Sequence, residues 1–289
     1  MPSVSIVGCG YTGIALARRW LAAGAHVRGF AARTESLEAI LACGAEARAL
    51  NLDQVPRPIE CGDALVYYAV PPAPTGGGDP RLERFLGGVT GRPARLIYLS
   101  TTGVYGDHGG ARVDEDTPPG PHLTGRARRR LAAEGEVRAW ADAHGISWCI
   151  LRIAGIYGPG RLPLERLRRA EPAILPQEST PSNRIHVDDL AAACFAAGAS
   201  ERAHRRVYNV SDGSDDSLTA YLQRVARIAG LPAPPLISRE AAQRSLSQAA
   251  WSFLAESRRI DNRRMIEELG VSLAYADLDA GIRASLTAS

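Results

Sequence analysis

Lysine is missing from this chain: all 34 basic side chains among its 289 residues are arginine. Guanidinium does not deprotonate at working pH, so lysine-dependent chemistry, Schiff bases included, is excluded. Cysteine is scarce too, with five residues at positions 9, 43, 61, 149 and 194. They are odd in number and form no Cys-x-x-Cys. That pattern reads as buried reduced thiols rather than a disulfide framework or a zinc site. No apolar run reaches the ~20 residues that a bilayer requires, and no basic leader precedes the first one. A net charge of +3 is too small to imply nucleic acid or a membrane surface as partner. The expectation is a soluble, cytoplasmic protein with no metal site and a small-molecule substrate.

What is present begins with glycine. Val4-Ser5-Ile6-Val7 reads as a strand and Ile14-Ala15-Leu16-Ala17-Arg18-Arg19-Trp20-Leu21 as an amphipathic helix. Between them lies Gly8-Cys9-Gly10-Tyr11-Thr12-Gly13. Gly8 allows a tight turn, Gly10 lets the backbone approach phosphates, and Gly13 lets the helix pack close to the strand. A helix N-terminus then offers free N–H groups and partial positive charge to an anion. The alternative is an ordinary glycine turn. On the first reading, Gly8, Gly10, Tyr11, Thr12 and Gly13 form a dinucleotide's phosphate site.

Further strands are expected near 26–30, 47–50, 64–70, 95–100 and 147–152, and helices near 14–23, 35–43, 81–86 and 126–143. Runs such as Ala64-Leu65-Val66-Tyr67-Tyr68-Ala69-Val70 are apolar throughout, as strands covered on both faces are. Strand–helix alternation predicts an α/β fold: a Rossmann-type doubly wound parallel sheet with a smaller, mostly helical C-terminal substrate lobe. The expected division assigns 1–155 to the dinucleotide domain, with 183–212 returning to it. Residues 156–182 and 213–289 then form the lobe. After residue 155 the pattern predicts a helix over 161–170, a helix opening at Asp188-Asp189, a strand over 207–210 and a helical tail from Ser238. Segment 71–78, rich in Pro and Gly, reads as a mobile flap, and 103–121 as a long loop.

The nucleotide can be read further. An NAD site of this kind places Asp or Glu about twenty residues past the glycine turn, on the ribose 2′-hydroxyl. Here that position is Ala31-Ala32-Arg33, with no carboxylate. Arg33 suits a 2′-phosphate, so NADP is expected, with NAD as the alternative. Asn51 and Leu52 should neighbour the adenine, and Ala69, Val70 and Pro71 the middle of the cofactor.

Several segments resemble one family. Leu99-Ser100-Thr101-Thr102-Gly103-Val104-Tyr105-Gly106 looks like the active-site Ser/Thr segment of extended short-chain dehydrogenases and epimerases. Arg152-Ile153-Ala154-Gly155-Ile156-Tyr157-Gly158-Pro159-Gly160 is similar to their RPxxVYGPG segment. Arg184-Ile185-His186-Val187-Asp188-Asp189-Leu190 is similar to RxxHVxDL, and Val207-Tyr208-Asn209-Val210 to their YNV strand. The family's catalytic pair is a Tyr followed four residues later by a Lys, with a Glu four further on. Aligning on Leu131-Ala132-Ala133-Glu134 puts Arg126 and Arg130 at the Tyr and Lys positions, and no tyrosine occurs between Tyr105 and Tyr157. The chain looks most like atypical bacterial members that lack this tyrosine.

The resemblance implies roles for what remains. Thr101 would polarise a substrate oxygen, or else satisfy local backbone as a strand-end hydroxyl. Arg130 would keep the nicotinamide ribose contact. Arg126 is either an anchor for an anionic substrate or a solvated member of a basic run with Arg128, Arg129 and Arg130. Thr101, Arg126 and Arg130 are therefore the candidate catalytic residues. A proton carrier would have to be Tyr105, Tyr157, His122, His186 or water, with His186 also readable as a structural residue at a helix start. Asp188 and Asp189 read as an N-cap and first turn rather than a metal pair. Arg184 would bind a sugar-nucleotide diphosphate as in relatives, or form a structural ion pair. The leading function is an NADP-dependent oxidoreductase on a small polar substrate. The alternatives are a non-catalytic dinucleotide-binding sensor or interaction protein, and a sugar-nucleotide epimerase. The 126–143 helix corresponds to a surface that relatives use for homodimers.

Overall fold

Val4, Ser5, Ile6 and Val7 are all fully buried in β1 (Ser3–Val7), because helices cover this strand on both sides. The computed structural model describes residues 1–54, 58–73, 76–246, 251 and 254–287. In chain order β1 is followed by β2 (His26–Ala31), β3 (Glu46–Ala49), β4 (Leu65–Tyr68), β5 (Arg95–Thr101) and β6 (Ser147–Ile153). The short strands β7 (Gly155–Tyr157) and β8 (Arg184–His186) pair with each other, and β9 (Arg206–Val210) rejoins the main sheet. That sheet has seven strands, all parallel, in the order β9-β6-β5-β4-β1-β2-β3. The chain winds outward from β1 to β3, returns to place β4 against β1, and winds outward the other way. This reversal is the doubly wound α/β arrangement expected from the alternation, and it opens a crevice beyond the carboxyl ends of β1 and β4.

The helices are α1 (Tyr11–Ala22), α2 (Thr34–Ala42), α3 (Pro80–Gly88), α4 (Gly125–Ala143), α5 (Leu164–Arg168), α6 (Val187–Ala199), α7 (Leu218–Ile228), α8 (Arg239–Ser245), α9 (Arg263–Leu269) and α10 (Leu278–Thr287). One apolar layer joins α1, α2 and α6 to the sheet through Leu16, Trp20, Ile40, Leu190 and Cys194. The opposite layer joins α3 and α4 through Leu82, Phe85, Ala133 and Val137. A separate core gathers α5, α7 and α10 around Tyr157, Leu167, Tyr221, Leu222 and Ile282. Among the described residues no helix is long and apolar enough to cross a membrane.

Local departures from the expected elements have local causes. Helix α1 begins at Tyr11, three residues before its apolar periodicity starts, because Gly10 already serves as N-cap. The expected 161–170 helix shrinks to α5, which starts after Pro163 and stops before Ala170, a residue held at φ +49°. Within 103–121 the chain forms a 3₁₀ turn at Thr102–Tyr105 and a short strand, Arg112–Val113, paired with Arg259–Ile260. Of the expected flap, Pro74 and Thr75 lie outside the described residues. The N-cap of α6 is His186, not an aspartate. Its Nδ1 accepts from the Asp188 amide at 3.2 Å, while Asp188 and Asp189 occupy the first turn.

A polar chain of contacts runs through the first layer. Trp20 Nε1 donates to the Tyr67 hydroxyl at 3.1 Å, which donates to the Cys194 carbonyl at 3.0 Å. A Cβ on Gly198 would overlap that hydroxyl and come within 2.9 Å of Trp20 Cζ2. Gly198→Ala should therefore lower stability by about 1–3 kcal/mol in urea unfolding, the usual cost of overpacking a filled core. Gly87→Ala, which meets nothing within 4 Å, should be neutral. Equal midpoints for the two variants would contradict this packing.

Candidate functional site

The crevice floor is built by three glycines whose surroundings differ. Gly8 turns at φ +85°, and a Cβ there would lie 2.8 Å from the Val70 nitrogen and 2.9 Å from the Ala69 carbon. Both the Gly8 and Cys9 amides donate to the Phe30 carbonyl, at 3.0 and 2.9 Å. A Cβ on Gly13 would press on Ile6 and Cys9 at 3.2 Å, whereas one on Gly10 would meet nothing within 4 Å. The open space thus lies over Gly10 and the start of α1. No side chain caps that end of α1, and no acidic residue stands in its first turn. Partial positive charge with unfilled donors is what a bound diphosphate needs, so these residues fit a dinucleotide.

The remaining groove residues fall into place around this floor. Arg33 is exposed at the N-cap of α2, just past the end of β2, and forms no ion pair among the described residues. Asn51 accepts from the Asp53 amide at 2.9 Å, and Leu52 is buried in the layer that also holds Phe30 and Val70. Ala69 continues β4, its amide donating to the Val7 carbonyl at 2.8 Å. Sequence reasoning missed the brace across the groove's two lips. Arg81 of α3 grips Asp53 with two hydrogen bonds of 2.7 Å and donates to the Pro71 carbonyl at 3.2 Å. The hydrogen bond from Arg81 also holds the Asp53 carboxyl below the usual range. Arg84 reaches the Leu52 carbonyl at 2.8 Å. No local pattern signals this brace, since its partners lie from ten to 32 positions away.

Beside the groove lies a cavity of about 580 Å3 at the carboxyl end of β5. Thr101, Thr124, Arg126, Ser182, Asn183, Glu256 and Arg258 are among its lining residues. Thr101 Oγ1 accepts from the Gly103 amide at 3.2 Å, capping the 3₁₀ turn, which leaves its proton available as a donor. Arg126 stands in the first turn of α4, behind the N-cap Thr124. Burial, together with Arg130, Arg258 and Arg129, depresses its pKa, with Glu256 acting in the opposite direction. Glu256 meets Arg258 at 2.8 Å, and Arg258 also donates to the Gly106 carbonyl at 2.6 Å. The spacing of Arg258, Arg259, Arg263 and Arg264 in the sequence suggests a solvated helical face, but 256–258 is non-helical and Arg258 is turned into the cavity wall. Arg130, one turn below Arg126, does not line the cavity. It is fixed on the Tyr98 hydroxyl at 3.0 Å and the Leu99 carbonyl at 3.2 Å.

The other titratable candidates point elsewhere. Tyr105 is fully buried, donates to Asn209 Oδ1 at 2.7 Å and is pushed up to about 12 by burial. Tyr157 packs its hydroxyl against Gly281 in the lobe, and burial raises its pKa strongly. His186 is buried between Tyr157 and Tyr275, which lowers its pKa. His122 is exposed on the loop before α4. None of these four lines the cavity. Arg184 is 5 % exposed and lies 3.9 Å from the Tyr221 ring centroid, donating to Ser182. Glu134 is likewise structural: it takes a fork from Arg152 and accepts from Ser100 Oγ at 2.7 Å.

Comparison with known proteins fits this architecture. A profile of the NAD dependent epimerase/dehydratase family matches residues 88–211. A solved protein of unknown function from Silicibacter pomeroyi DSS is 32 % identical, with TM-score 0.80 and 99 % of both chains covered. Residues 88–211 are thus similar to the NAD dependent epimerase/dehydratase family, and the whole chain is similar to the Silicibacter pomeroyi protein. Protein YeeZ of Escherichia coli K12 is 29 % identical over 96 % of this chain and 97 % of its own. UDP-glucuronic acid 4-epimerase of Bacillus cereus, solved in complex with NAD, shares the fold at TM-score 0.76 and 17 % identity, covering 99 % and 98 % of the two chains.

One buried acid lies close behind β9, at Asp212. Burial pushes the Asp212 carboxyl up to about 6, opposed by the Ser214 amide and Arg184. Its Oδ1 accepts from that amide at 2.9 Å, while Oδ2 has no partner among the described residues. The folded state therefore binds this proton more tightly than the unfolded chain does. The resulting stabilisation is full below about pH 4 and is lost as pH rises through about 6. Asp212→Asn keeps the Oδ1 acceptor and should stabilise the protein at pH 7.5 by on the order of 1 kcal/mol. The gain should vanish by pH 4 in paired urea titrations; a gain independent of pH would refute the assignment.

Proposed function

We propose that this chain is an NADP(H)-binding oxidoreductase of the extended short-chain dehydrogenase type. Its substrate is small, polar and anionic, and its active site is non-standard. The observation that carries this reading is that Thr101 and Arg126 line one cavity alongside the uncapped, carboxylate-free start of the α1 groove. A bound nicotinamide would supply or accept a hydride. Gly8, Gly10, Tyr11, Thr12 and Gly13 hold the diphosphate, and Arg33 takes the 2′-phosphate with charge-assisted hydrogen bonds. Asn51 and Leu52 flank the adenine, and Ala69, Val70 and Pro71 the middle of the cofactor. Thr101 donates to the reacting oxygen as negative charge develops on it. Arg126 receives the substrate's carboxylate or phosphate. Burial and the neighbouring Arg130, Arg258 and Arg129 lower the Arg126 pKa against the opposing Glu256, so an anion at Arg126 would favour its charged form. Arg130 spans from α4 to the end of β5 and places the ribose.

One observation favours a second reading, a dinucleotide-binding sensor. The tyrosines and histidines that could carry a proton lie outside the cavity wall. The epimerase alternative is weaker, since Arg184 is spent on Tyr221 and Ser182 rather than on an open surface.

Two measurements decide between these. Fluorescence titration should give tighter binding of NADPH than NADH, and Arg33→Ala should weaken NADPH about tenfold while leaving NADH within about twofold. NADH binding more tightly to the natural protein would overturn the NADP assignment. In turnover with small carbonyl acids, Arg126→Ala should raise KM at least about tenfold, and Thr101→Ala should lower kcat by about a hundredfold. Retention of NADPH without oxidation across such a panel would leave the sensor reading standing instead.

A further inference from the structure

Residues 158–161 carry a charge toward the cofactor helix that neither the glycine turn nor the family motif accounts for. Gly158-Pro159-Gly160-Arg161 closes a turn in which the Arg161 amide donates to the Gly158 carbonyl at 3.0 Å. Proline in the second position and Gly160 at φ +68° in the third are the residue order of a type II turn. The turn sits against α1: a Cβ on Gly158 would lie 2.5 Å from the Tyr11 hydroxyl and 2.8 Å from Val187 Cγ1. Its last residue then sets the Arg161 guanidinium over the Tyr11 ring, 4.4 Å from the centroid.

Tyr11 is the first residue of α1, so a full positive charge stands at the positive end of a helix dipole. Such an arrangement is unfavourable unless an anion lies between the two. Arg161 forms no ion pair among the described residues. Asp188 also acts on Tyr11, but its carboxylate lies 3.6 Å from His186 Nδ1 and does not pair with Arg161.

We propose that Arg161 is the second half of the diphosphate site, closing over the bridging phosphates from the side opposite the α1 amides. This rests on the dinucleotide reading above. The Tyr11 ring serves as the shelf on which the guanidinium waits, and Gly158 lets the turn approach closely enough to use it. The turn follows β7 and precedes α5, so the charge comes from the lobe side of the cleft and ties the lobe to the cofactor.

Calorimetric titration of the full chain with ADP-ribose, NADH, NADPH and adenosine 2′-monophosphate tests this. Arg161→Gln should weaken the three diphosphates by a common factor of about ten and leave the 2′-monophosphate unchanged. Added salt should weaken natural-protein binding more than variant binding. Arg161→Lys keeps a charge without the planar fork and should show a smaller loss, which guards against a folding defect in the glutamine variant. Unchanged ADP-ribose affinity in Arg161→Gln, or a loss shared by the 2′-monophosphate, overturns the proposal. Failure of the natural protein to retain any of the diphosphates instead removes the dinucleotide reading itself, and this proposal with it.

Discussion

The backbone at Gly8 passes so close to the chain leaving β4 that no side chain fits between them, and most of the groove's geometry follows from that approach. Because β1 and β4 end side by side, the crevice opens at the reversal of the sheet order. Because the Phe30 carbonyl takes the amides of both Gly8 and Cys9, the chain turns sharply and sends α1 back across the sheet. Cys9 then becomes a packing residue. A Cβ on Gly13 would lie 3.2 Å from its sulfur and one on Gly29 3.0 Å, so this position tolerates little bulk. Burial pushes the Cys9 thiol up to about 12, which makes it a small apolar filler rather than a nucleophile.

With α1 aimed by packing, charge placement falls largely to α4. Arg126, Arg130, Glu134 and Arg138 recur every four residues and so share one face of the helix. Each meets a different layer. Arg126 lines the cavity and Arg130 fastens to the end of β5. Glu134 is buried against Arg152 and Ser100, and Arg138 lies 3.6 Å from Glu134 and over the Trp148 ring. The buried Glu134–Arg152 pair gains from extra partners, since Arg152 also faces the Tyr105 ring at 4.8 Å. A helix whose inner end is locked this way presents its first turn in a fixed direction, as a preorganised anion site requires.

This division explains what could be read from the residues alone. The sheet, the glycine turn and α4 were legible because each has a local signature: unbroken apolar runs, a glycine spacing, a long helical stretch. The position of Arg33 follows from counting past the turn. Arg81, Arg161 and the cavity role of Arg258 were not legible, because each acts on a segment far away in the chain. His186 was missed as a cap because residues with short polar side chains dominate that role, and two aspartates stood beside it. Arg184 shows the limit of reading by resemblance. The motif position is kept, but Tyr221 takes the guanidinium by stacking at 3.9 Å.

The chemistry proposed here then turns on how a site can manage without a tyrosine in its cavity wall. A carbonyl that accepts hydride becomes an oxyanion first and needs a proton only afterwards. An environment that stabilises the anion reduces the demand for a concerted acid. Thr101 Oγ1 accepts one hydrogen bond from the Gly103 amide and keeps its proton to donate to such an oxygen. Arg126 adds positive charge in a partly enclosed space, where it counts for more than in water, although Glu256, paired with Arg258, offsets part of it. The same charge that favours an anionic substrate therefore favours the anionic form of its reacting oxygen. On the proposed reading, an arginine at the head of α4 supplies electrostatically what a tyrosine would supply as a proton donor.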